Sequence, residues 1–416
     1  MRTTLLSLTV GSLALLALAA PFGAQQPASH PASSPAPAAR AEVASYRERL
    51  LDVAFTAAAK LPSNPHVKTR AKLMHDVVTA QIAVGARERA AELAESIENW
   101  RRGACYAELA VDCARRGDAE RARALVERSR AFAERADVGI TQDWQKDRIL
   151  SNAAAALAWL GELERAEELA AGLTESESGS VGLVRARRSE ASEFDARLAE
   201  IDAALASHHW ELSRNALAAC AALHERHYAE PELRERAEKA IVAGFETAKL
   251  PLQLRVELLL ELAASAGAHA DAPTAQRLLD LASLAVEQGR FGWTDALPQR
   301  ARIASARRAS GDAARAGNEL DALYTSYLAQ RERIDNWERC DVLLPIAEAY
   351  GALGERAKAL GVYRKALEDG RENPNGRSRV EDLVPALCSL AVQGIEPDAA
   401  LWELVAKIDV GLCAPW

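Results

Sequence analysis

The feature of this chain that most constrains its fold is a short motif that recurs around single glycines. The glycine is followed by Asp or Glu and, after two further residues, by Arg or Lys and then Ala, while another alanine stands seven residues before the glycine. The four full copies contain Gly117, Gly161, Gly311 and Gly354. A weaker copy, without the acidic residue, surrounds Gly85. Self-similarity at fixed offsets indicates that one structural unit is used repeatedly.

The motif has the chemistry of a hinge between two helices. A glycine just past a helix end adopts the left-handed conformation that stops the helix, and an acidic residue in the next first turn complements the helix dipole. The alanines allow two antiparallel helices to approach closely, and leucines three and four residues apart supply a buried stripe. We therefore predict an all-α fold, an α-solenoid of about nine antiparallel helical hairpins.

Tryptophans stand in register with the glycines. They precede the four strong glycines by 17 or 18 residues, and three of them follow a residue that can cap a helix. We expect them to mark the start of the first helix of each hairpin. Fixed register favours packing of the indole on the previous hairpin, and the alternative is a row of aromatic ligand contacts. The tryptophans are Trp100, Trp144, Trp293 and Trp337, and the capping residues are Asn99, Asp143 and Asn336.

The hairpins resemble tetratricopeptide repeats, whose pattern pairs a small residue and an aromatic in the first helix with Gly, Ala, aromatic and Ala later. The copy that fits at every position consists of Ala347, Tyr350, Gly354, Ala359, Tyr363 and Ala366. The unit here is longer, because neighbouring strong glycines are 43 or 44 residues apart, against about 34 in that family. The resemblance implies a TPR-like superhelix, and the longer spacing also suits HEAT-type hairpin arrays.

The middle of the chain is degenerate, since 150 residues separate Gly161 from Gly311. A further hinge is predicted at Gly267. A polar, flexible joint at residues 174–183 is expected to divide the array into arms at residues 41–173 and 184–416. In this middle region, helices are predicted at residues 190–206, 211–228, 231–247 and 252–266.

Residues 1–20 have the pattern of a cleavable bacterial-type signal peptide. The apolar run from Leu5 to Ala20 is shorter than the roughly 20 residues of a spanning helix and closes on small residues. An uncleaved anchor is the alternative. Residues 21–40 are rich in Pro, Ala and Ser and are predicted to be a disordered spacer. We expect an exported protein, periplasmic or extracellular, with no membrane span after cleavage.

Charge and motif content exclude several functions. A formal net charge of -8 argues against nucleic acid as the partner, because that ligand needs a basic face. Phosphate-cradling loops and nucleophile elbows are absent, so neither a cofactor nor catalysis is expected. Of the six cysteines, only Cys388 and Cys413 form a pair worth testing as a disulfide. Four histidines lack zinc-ligand spacing and are interpreted as ordinary surface or hairpin residues: His208, His209, His224 and His227.

The resemblance implies a binding scaffold and not an enzyme. First helices of tetratricopeptide-like arrays line the concave face where the family's ligands lie, so we expect a protein or peptide partner to bind there. The residues that map to this face are Glu108, Arg148, Asn152, Trp159, Arg308, Asp341, Leu344 and Glu348. The identity of the partner and the oligomeric state stay open.

Two other functions are compatible with the sequence. One is a helical toroid that cleaves glycans with carboxylates in a central cleft, although aromatic residues, which grip sugars, make up only 5% of the chain. The other is a structural spacer of the cell envelope. The overall shape discriminates between the scaffold and the glycan-cleaving toroid, because an open superhelix without an acidic central cavity has no site for glycan cleavage.

Overall fold

The computed structural model describes residues 45–135, 140–174, 177–207, 209–247, 250–289 and 291–416. Within these ranges the chain forms nineteen α-helices, two single-turn 3-10 helices and no β-strand. The predicted signal peptide and spacer lie outside the described residues, as do Glu175 and Ser176 of the predicted joint and His208. The helices are α1 (Ser45–Lys60), α2 (Ser63–Ala83), α3 (Arg87–Ala94), α4 (Arg101–Arg115), α5 (Ala119–Ala133), α6 (Asp143–Trp159), α7 (Leu163–Ala170), α8 (Gly179–Arg188), α9 (Phe194–Ala206), α10 (Trp210–Arg226), α11 (Pro231–Thr247), α12 (Leu252–Ala268), α13 (Ala272–Gln288), α14 (Trp293–Ala309), α15 (Ala313–Gln330), α16 (Arg339–Leu353), α17 (Arg356–Arg371), α18 (Gly376–Gln393) and α19 (Ala399–Val410).

The helices alternate between two layers. Even-numbered helices pack against one another in sequence, for example α4 against α6, α8 against α10 and α14 against α16. Odd-numbered helices lie on their outer side, and the apolar side chains between the layers form the core. The predicted all-α solenoid of helical hairpins is confirmed.

The basic residue of the glycine motif makes the same contact in all five copies. It forms an ion pair with an acidic residue of the preceding odd-numbered helix, 33 to 38 residues earlier. Exposed pairs of this kind contribute only about 0.2–1 kcal/mol each. Their recurrence shows that the outer helices of these hairpins are placed alike relative to the preceding outer helix. The pairs are Arg89 with Asp52, Arg121 with Glu88, Arg165 with Glu127, Arg315 with Asp280 and Lys358 with Asp321.

The two ends of the solenoid meet, so the array is a closed ring. Helix α18 packs against both α1 and α2, and buried residues of the two ends share one apolar cluster. On the outer side, Lys60 Nζ lies 2.7 Å from Asp409 Oδ2. The Arg49 guanidinium lies 4.2 Å from the centre of the Trp402 ring. The nine even-numbered helices therefore surround a central lumen.

Left-handed backbone occurs where the motif predicts it. The five motif glycines have φ between 83° and 91°, and each follows the last turn of a helix. The alanines on either side of the four strong glycines are fully buried, as expected where helices cross closely. A sixth left-handed glycine, Gly394, ends α18 with φ of 70°.

The hinge predicted at Gly267 is wrong by three residues. Helix α12 continues through Gly267 to Ala268, and the left-handed residue is Ala270, with φ of 59°. Asp271 then caps α13, because its carboxylate accepts a hydrogen bond from the amide of Thr274 at 3.1 Å. An alanine seldom adopts this conformation, so the sequence carried no signal for it.

The predicted helices of the middle region are largely present. Helix α11 has the predicted bounds, whereas α9 begins at Phe194, after the 3-10 turn Ala191–Glu193. The predicted flexible joint is partly helical, since α8 begins at Gly179. Val181 and Val184 on this helix are buried in the core, and this burial outweighs the polar, glycine-containing composition that suggested a joint.

The register tryptophans have two different environments. Trp100 is buried at the start of α4 and packs edge-on against Trp144, with ring centres 5.2 Å apart. This contact is the inter-hairpin packing that the register favours. Trp144 is nevertheless 41% exposed, and Trp293 and Trp337 are 42% and 60% exposed, at the start of α14 and just before α16.

One of the three predicted caps is present. Asn99 Oδ1 accepts a hydrogen bond from the amide of Arg101 at 3.0 Å. Asp143 is itself the first residue of α6, and Asn336 lies three residues before α16, so neither occupies the capping position.

All six cysteines have free thiols. Cys388 is buried within α18, whereas Cys413 is exposed beyond α19, so the pair singled out by the sequence is not a disulfide.

Candidate functional site: the lumen of the ring

Each inner helix presents one stripe of side chains toward the lumen. On α4 the stripe contains Arg101, Glu108 and Arg115, which are seven residues apart and so share a helix face. All eight residues predicted for the concave face lie on inner helices: Glu108 on α4, Arg148, Asn152 and Trp159 on α6, Arg308 on α14, and Asp341, Leu344 and Glu348 on α16.

Charges on inner helices that are not neighbours in the ring influence one another. Burial raises the pKa of Asp341 on α16, and the ammonium group of Lys72 on α2 lowers it, although α18 lies between the two helices. Burial and then the guanidinium of Arg115 on α4 lower the pKa of Arg187 on α8, with α6 between. Asp341 is exposed to solvent and yet desolvated by its surroundings. That combination is typical of a concave, water-filled surface.

Glu108 is the centre of a hydrogen-bonded cluster. Its Oε1 lies 2.9 Å from His75 Nε2, and its Oε2 accepts from Thr79 Oγ1 at 3.1 Å. On the other side of the imidazole ring, Arg101 Nη1 lies 3.1 Å from His75 Nδ1. Burial lowers the pKa of His75, but Glu108 and Cys105 together raise it well above its usual value. Both carboxylate oxygens of Glu108 are thus used within the ring.

The stripe of α6 carries three predicted residues. Arg148 Nε lies 2.7 Å from Oε2 of the buried Glu177, so its charge is satisfied within the chain. Asn152 is half-buried one turn later. Trp159, at the end of α6, is half-buried, and the Arg115 guanidinium carbon lies 5.7 Å from its ring centre.

The stripe of α16 faces the neighbouring helices α14 and α18. Glu348 Oε1 accepts a hydrogen bond from Ser389 Oγ at 2.6 Å. Burial raises the pKa of Glu348, and the contact with Ser389 and the charge of Arg302 lower it less. Arg302 Nη1 also lies 3.6 Å from Glu257 Oε1 on α12. Leu344 is only 8% exposed, so it offers a partner little surface.

Arg308 lies apart from the other predicted residues. It is exposed in the last turn of α14 and has no ion-pair partner among the described residues. Its neighbour Arg307 is instead fully buried, with hydrogen bonds to Asp280 and Gln276 on α13. Of these two neighbouring arginines, Arg307 is therefore buried between α14 and α13, and Arg308 is exposed to solvent.

Two carboxyl groups that sequence reasoning missed have strongly shifted protonation. Burial raises the pKa of Glu261 on α12 to about 7, and the guanidinium of Arg187 opposes that shift. Burial raises the pKa of Asp382 on α18 to about 8, although Asn373 Nδ2 donates to its carboxylate at 2.5 Å. The sequence shows only that Glu261 lies on a predicted helix. It does not show the shift of its pKa, because desolvation of the carboxyl depends on neighbouring helices.

Two of the clustered histidines, His224 and His227, are buried rather than on the surface. His227 Nε2 lies 3.2 Å from Ser189 Oγ, and Nδ1 lies 3.2 Å from Glu230 Oε1. His224 packs edge-on against Tyr228, and burial lowers its pKa to about 4. Across the described ranges, no group of three or more His, Cys, Asp or Glu side chains is arranged to hold a metal ion.

No protein-family model matches the chain, and no curated protein matches it in sequence. Among the helices of the described ranges, none combines the length and apolar character needed to cross a bilayer. The tetratricopeptide likeness is therefore carried by the motif alone, and the case for a function has to be built from the geometry of the ring.

Proposed function

We propose that the chain is a binding scaffold, and not an enzyme, that takes a protein or peptide partner along the lumen of its ring. The observation that supports this most is a set of inner-helix charges that neighbouring helices desolvate. Burial shifts the pKa of Asp76, Arg115, Arg187 and Asp341 toward the neutral form of each side chain. These four and Lys72 have no hydrogen bond or ion pair with any described residue, and we call these five the free charges.

Free charges on a concave surface favour a polar partner. A partly desolvated charge without a partner loses solvation free energy, which a complementary group restores on binding. The free charges have both signs, as do the side chains of a typical polypeptide. Because successive inner helices present equivalent stripes, an extended chain can contact several of them in turn. The predicted signal peptide places this scaffold outside the cytoplasm, in the periplasm or beyond the cell.

The experiment compares two double variants that each neutralise one acidic and one basic residue, one in each layer. Envelope proteins are captured on the chain that begins at residue 41, on Lys72→Gln/Asp341→Asn and on Glu235→Gln/Lys239→Gln. The second double variant removes an exposed ion pair of the outer helix α11 and is the matched control. We expect a partner held by the unaltered chain to be lost from the lumen variant and retained by the control. Equal capture by both variants would mean that the lumen is not the binding surface.

One observation supports a second candidate, a hydrolase acting on glycans. The ring is closed, and Glu261, with a pKa of about 7, retains a proton near neutral pH as a general acid must. Glu257 stands one turn earlier on the same helix. The test is the release of reducing ends from cell-envelope polysaccharides by the unaltered chain and by Glu261→Gln. Equal release by the two chains removes this candidate.

A further inference from the structure

We propose that one rim of the ring, where the inner helices α14 and α16 begin, binds a basic segment of a partner polypeptide by seating its cationic side chains on the indole rings of Trp293 and Trp337. This surface is separate from the lumen of the proposed function, because it lies at the ends of inner helices and not along their stripes. Two exposed indoles and the unpaired carboxylates beside them carry the proposal.

The topology brings the two indoles to the same rim. Trp293 is the first residue of α14, and Trp337 stands two residues before α16. The two helices pack against each other, and the chain returns between them along the outer helix α15, so both begin at the same end of the ring. Packed helix axes are about 8–10 Å apart. About three residues of an extended chain span that distance, so one segment can reach both rings.

Both rings are open to a ligand. Trp337 is 60% exposed and Trp293 is 42% exposed. Neither ring has an aromatic or cation–π contact with a described residue. The register position of these tryptophans is the one that Trp100 occupies in an earlier hairpin, where the indole is buried. The two later hairpins therefore leave uncovered a ring that the earlier hairpin covers.

Other tryptophans of the chain show which group covers an indole in this protein. Three of them carry the guanidinium group of an arginine over the ring, which is the preferred geometry of a cation–π contact. The pairs are Arg49 on Trp402, Arg101 on Trp100 and Arg115 on Trp159, with the guanidinium carbon 4.2, 4.8 and 5.7 Å from the ring centre. At the register position itself, the chain thus supplies an arginine to Trp100 and none to the two rim indoles.

The rim around the indoles is acidic, and its carboxylates are unpaired. Four carboxylates lie within four residues of the two tryptophans in sequence, and none has an ion pair or a side-chain hydrogen bond with a described residue. They are Asp295, Asp335, Glu338 and Asp341. Burial raises the pKa of Glu338, and the charges of the other three carboxylates raise it further. A cation bound here therefore meets several acceptors at once.

The positive charges nearby do not neutralise this surface. Each helix N-terminus is equivalent to about half a positive charge, so the two helix ends offset about one carboxylate of the four. Arg300 and Arg333 are exposed and make no ion pair with these carboxylates. The charges that shift the pKa of Glu338 are those of carboxylates alone. Arg339 is engaged elsewhere, with Nη1 3.2 Å from Glu372 Oε2.

The rings and the carboxylates together select a cation. The face of an indole is the negative side of its quadrupole and attracts a guanidinium or ammonium group. A guanidinium group stacked on the ring still has N–H donors for a neighbouring carboxylate. Asp335 and Glu338 flank Trp337 in sequence, so ring and carboxylate can act on the same side chain. A neutral sugar gains from the rings alone and an anion is repelled, so a basic segment fits this rim best.

The test is titration calorimetry on the chain that begins at residue 41, with hexaarginine, hexaglutamate and the neutral sugar chitohexaose as probes. Trp293→Leu/Trp337→Leu removes the rings and keeps the charge, whereas Asp335→Asn/Glu338→Gln removes two charges and keeps the rings. We expect hexaarginine to bind the unaltered chain and to bind each site variant at least fivefold more weakly. Hexaglutamate should not bind.

The controls match each site variant in the kind of group removed. Leu281→Ala/Leu284→Ala removes two exposed apolar side chains of the outer helix α13. Glu120→Gln/Glu134→Gln removes two exposed, unpaired carboxylates at the ends of the outer helix α5. Both controls should bind hexaarginine within twofold of the unaltered chain. Thermal melting of each variant establishes that the ring is folded.

Three results overturn the proposal: no binding of hexaarginine by the unaltered chain, a loss smaller than fivefold in either site variant, or tighter binding of chitohexaose than of hexaarginine. Capture of envelope proteins separates the rim from the lumen. A partner that is lost from Lys72→Gln/Asp341→Asn and retained by both rim variants leaves the lumen function standing and rejects the rim. A partner lost from both rim variants and retained by the lumen variant supports the rim and removes the lumen.

Discussion

Ala270 occupies a backbone position that the other hairpins give to glycine. Its φ of 59° lies in the left-handed region, which disfavours residues with a Cβ by roughly 1–2 kcal/mol. We expect Ala270→Gly to raise the free energy of unfolding by up to about 1 kcal/mol, since the greater freedom of glycine in the unfolded chain offsets part of the gain. Urea denaturation measures the change.

The matched control is Gly311→Ala. Gly311 has φ of 91°, and no atom lies within 4 Å of the Cβ that an alanine would add, so backbone strain alone determines the cost. Its free energy of unfolding should fall by about 1–2 kcal/mol. A loss of stability in both variants would contradict the view that left-handed strain governs these turns.

Glu261 makes stability depend on pH. Burial raises its folded-state pKa from 4.5 to about 7, so the folded chain binds this proton more tightly than the unfolded chain does. Its ionisation therefore costs stability as pH rises above about 4.5, and the loss is complete above about pH 7. We expect Glu261→Gln to match the unaltered chain at pH 4 and to be more stable at pH 8, by roughly 2–3 kcal/mol. Urea denaturation at both pH values measures the difference.

The control for this prediction is Glu235→Gln on the outer helix α11. Its carboxyl is fully exposed, and a hydrogen bond from Lys239 lowers its pKa. The substitution should bring no gain at pH 8. A Glu261→Gln variant without extra stability at pH 8 would show that the carboxyl is well solvated in the lumen.

At the scale of helices, the hinges were predictable because their signals are local. A glycine, an acidic residue and two alanines at fixed offsets specify where one helix ends and the next begins, and the backbone is left-handed at Gly117, Gly161, Gly311 and Gly354 as these signals predict. The start of α8 was not predictable, since Ser and Gly favour a loop locally. Burial of Val181 and Val184 against other helices outweighs that preference.

In the candidate site, too, features set by local sequence were predictable and features set by contacts between helices were not. The mapping onto first helices selected residues of inner helices, such as Glu108, Arg148 and Glu348, because the order of helices follows from local signals. Which of these charges are free was not predictable. Glu108 is used by His75 and Glu348 by Ser389, and both partners come from other helices. Desolvation of a carboxyl likewise depends on the whole neighbourhood of helices.

At the scale of the whole molecule, closure turns a row of hairpins into a ring with an inside. In an open solenoid the terminal hairpins each leave one face uncovered, and polar capping repeats are usually needed. Here α1 covers α18 instead, with Leu50 and Leu51 fully buried. Closure also explains how Lys72 and Asp341 influence one another across α18, since both project into the same lumen.

Removal of α1 should therefore open the ring. A chain that begins at residue 61 leaves the apolar face of α18, including Leu383 and Leu387, without its cover. We expect a larger radius of gyration in small-angle X-ray scattering, increased binding of a hydrophobic dye and a lower thermal midpoint. The control is the chain that begins at residue 41, which retains α1 and loses only the predicted signal peptide and spacer. If both shortened chains scatter and melt alike, α1 is not what closes the ring, and the packing between α18 and α2 must hold the ends together by itself.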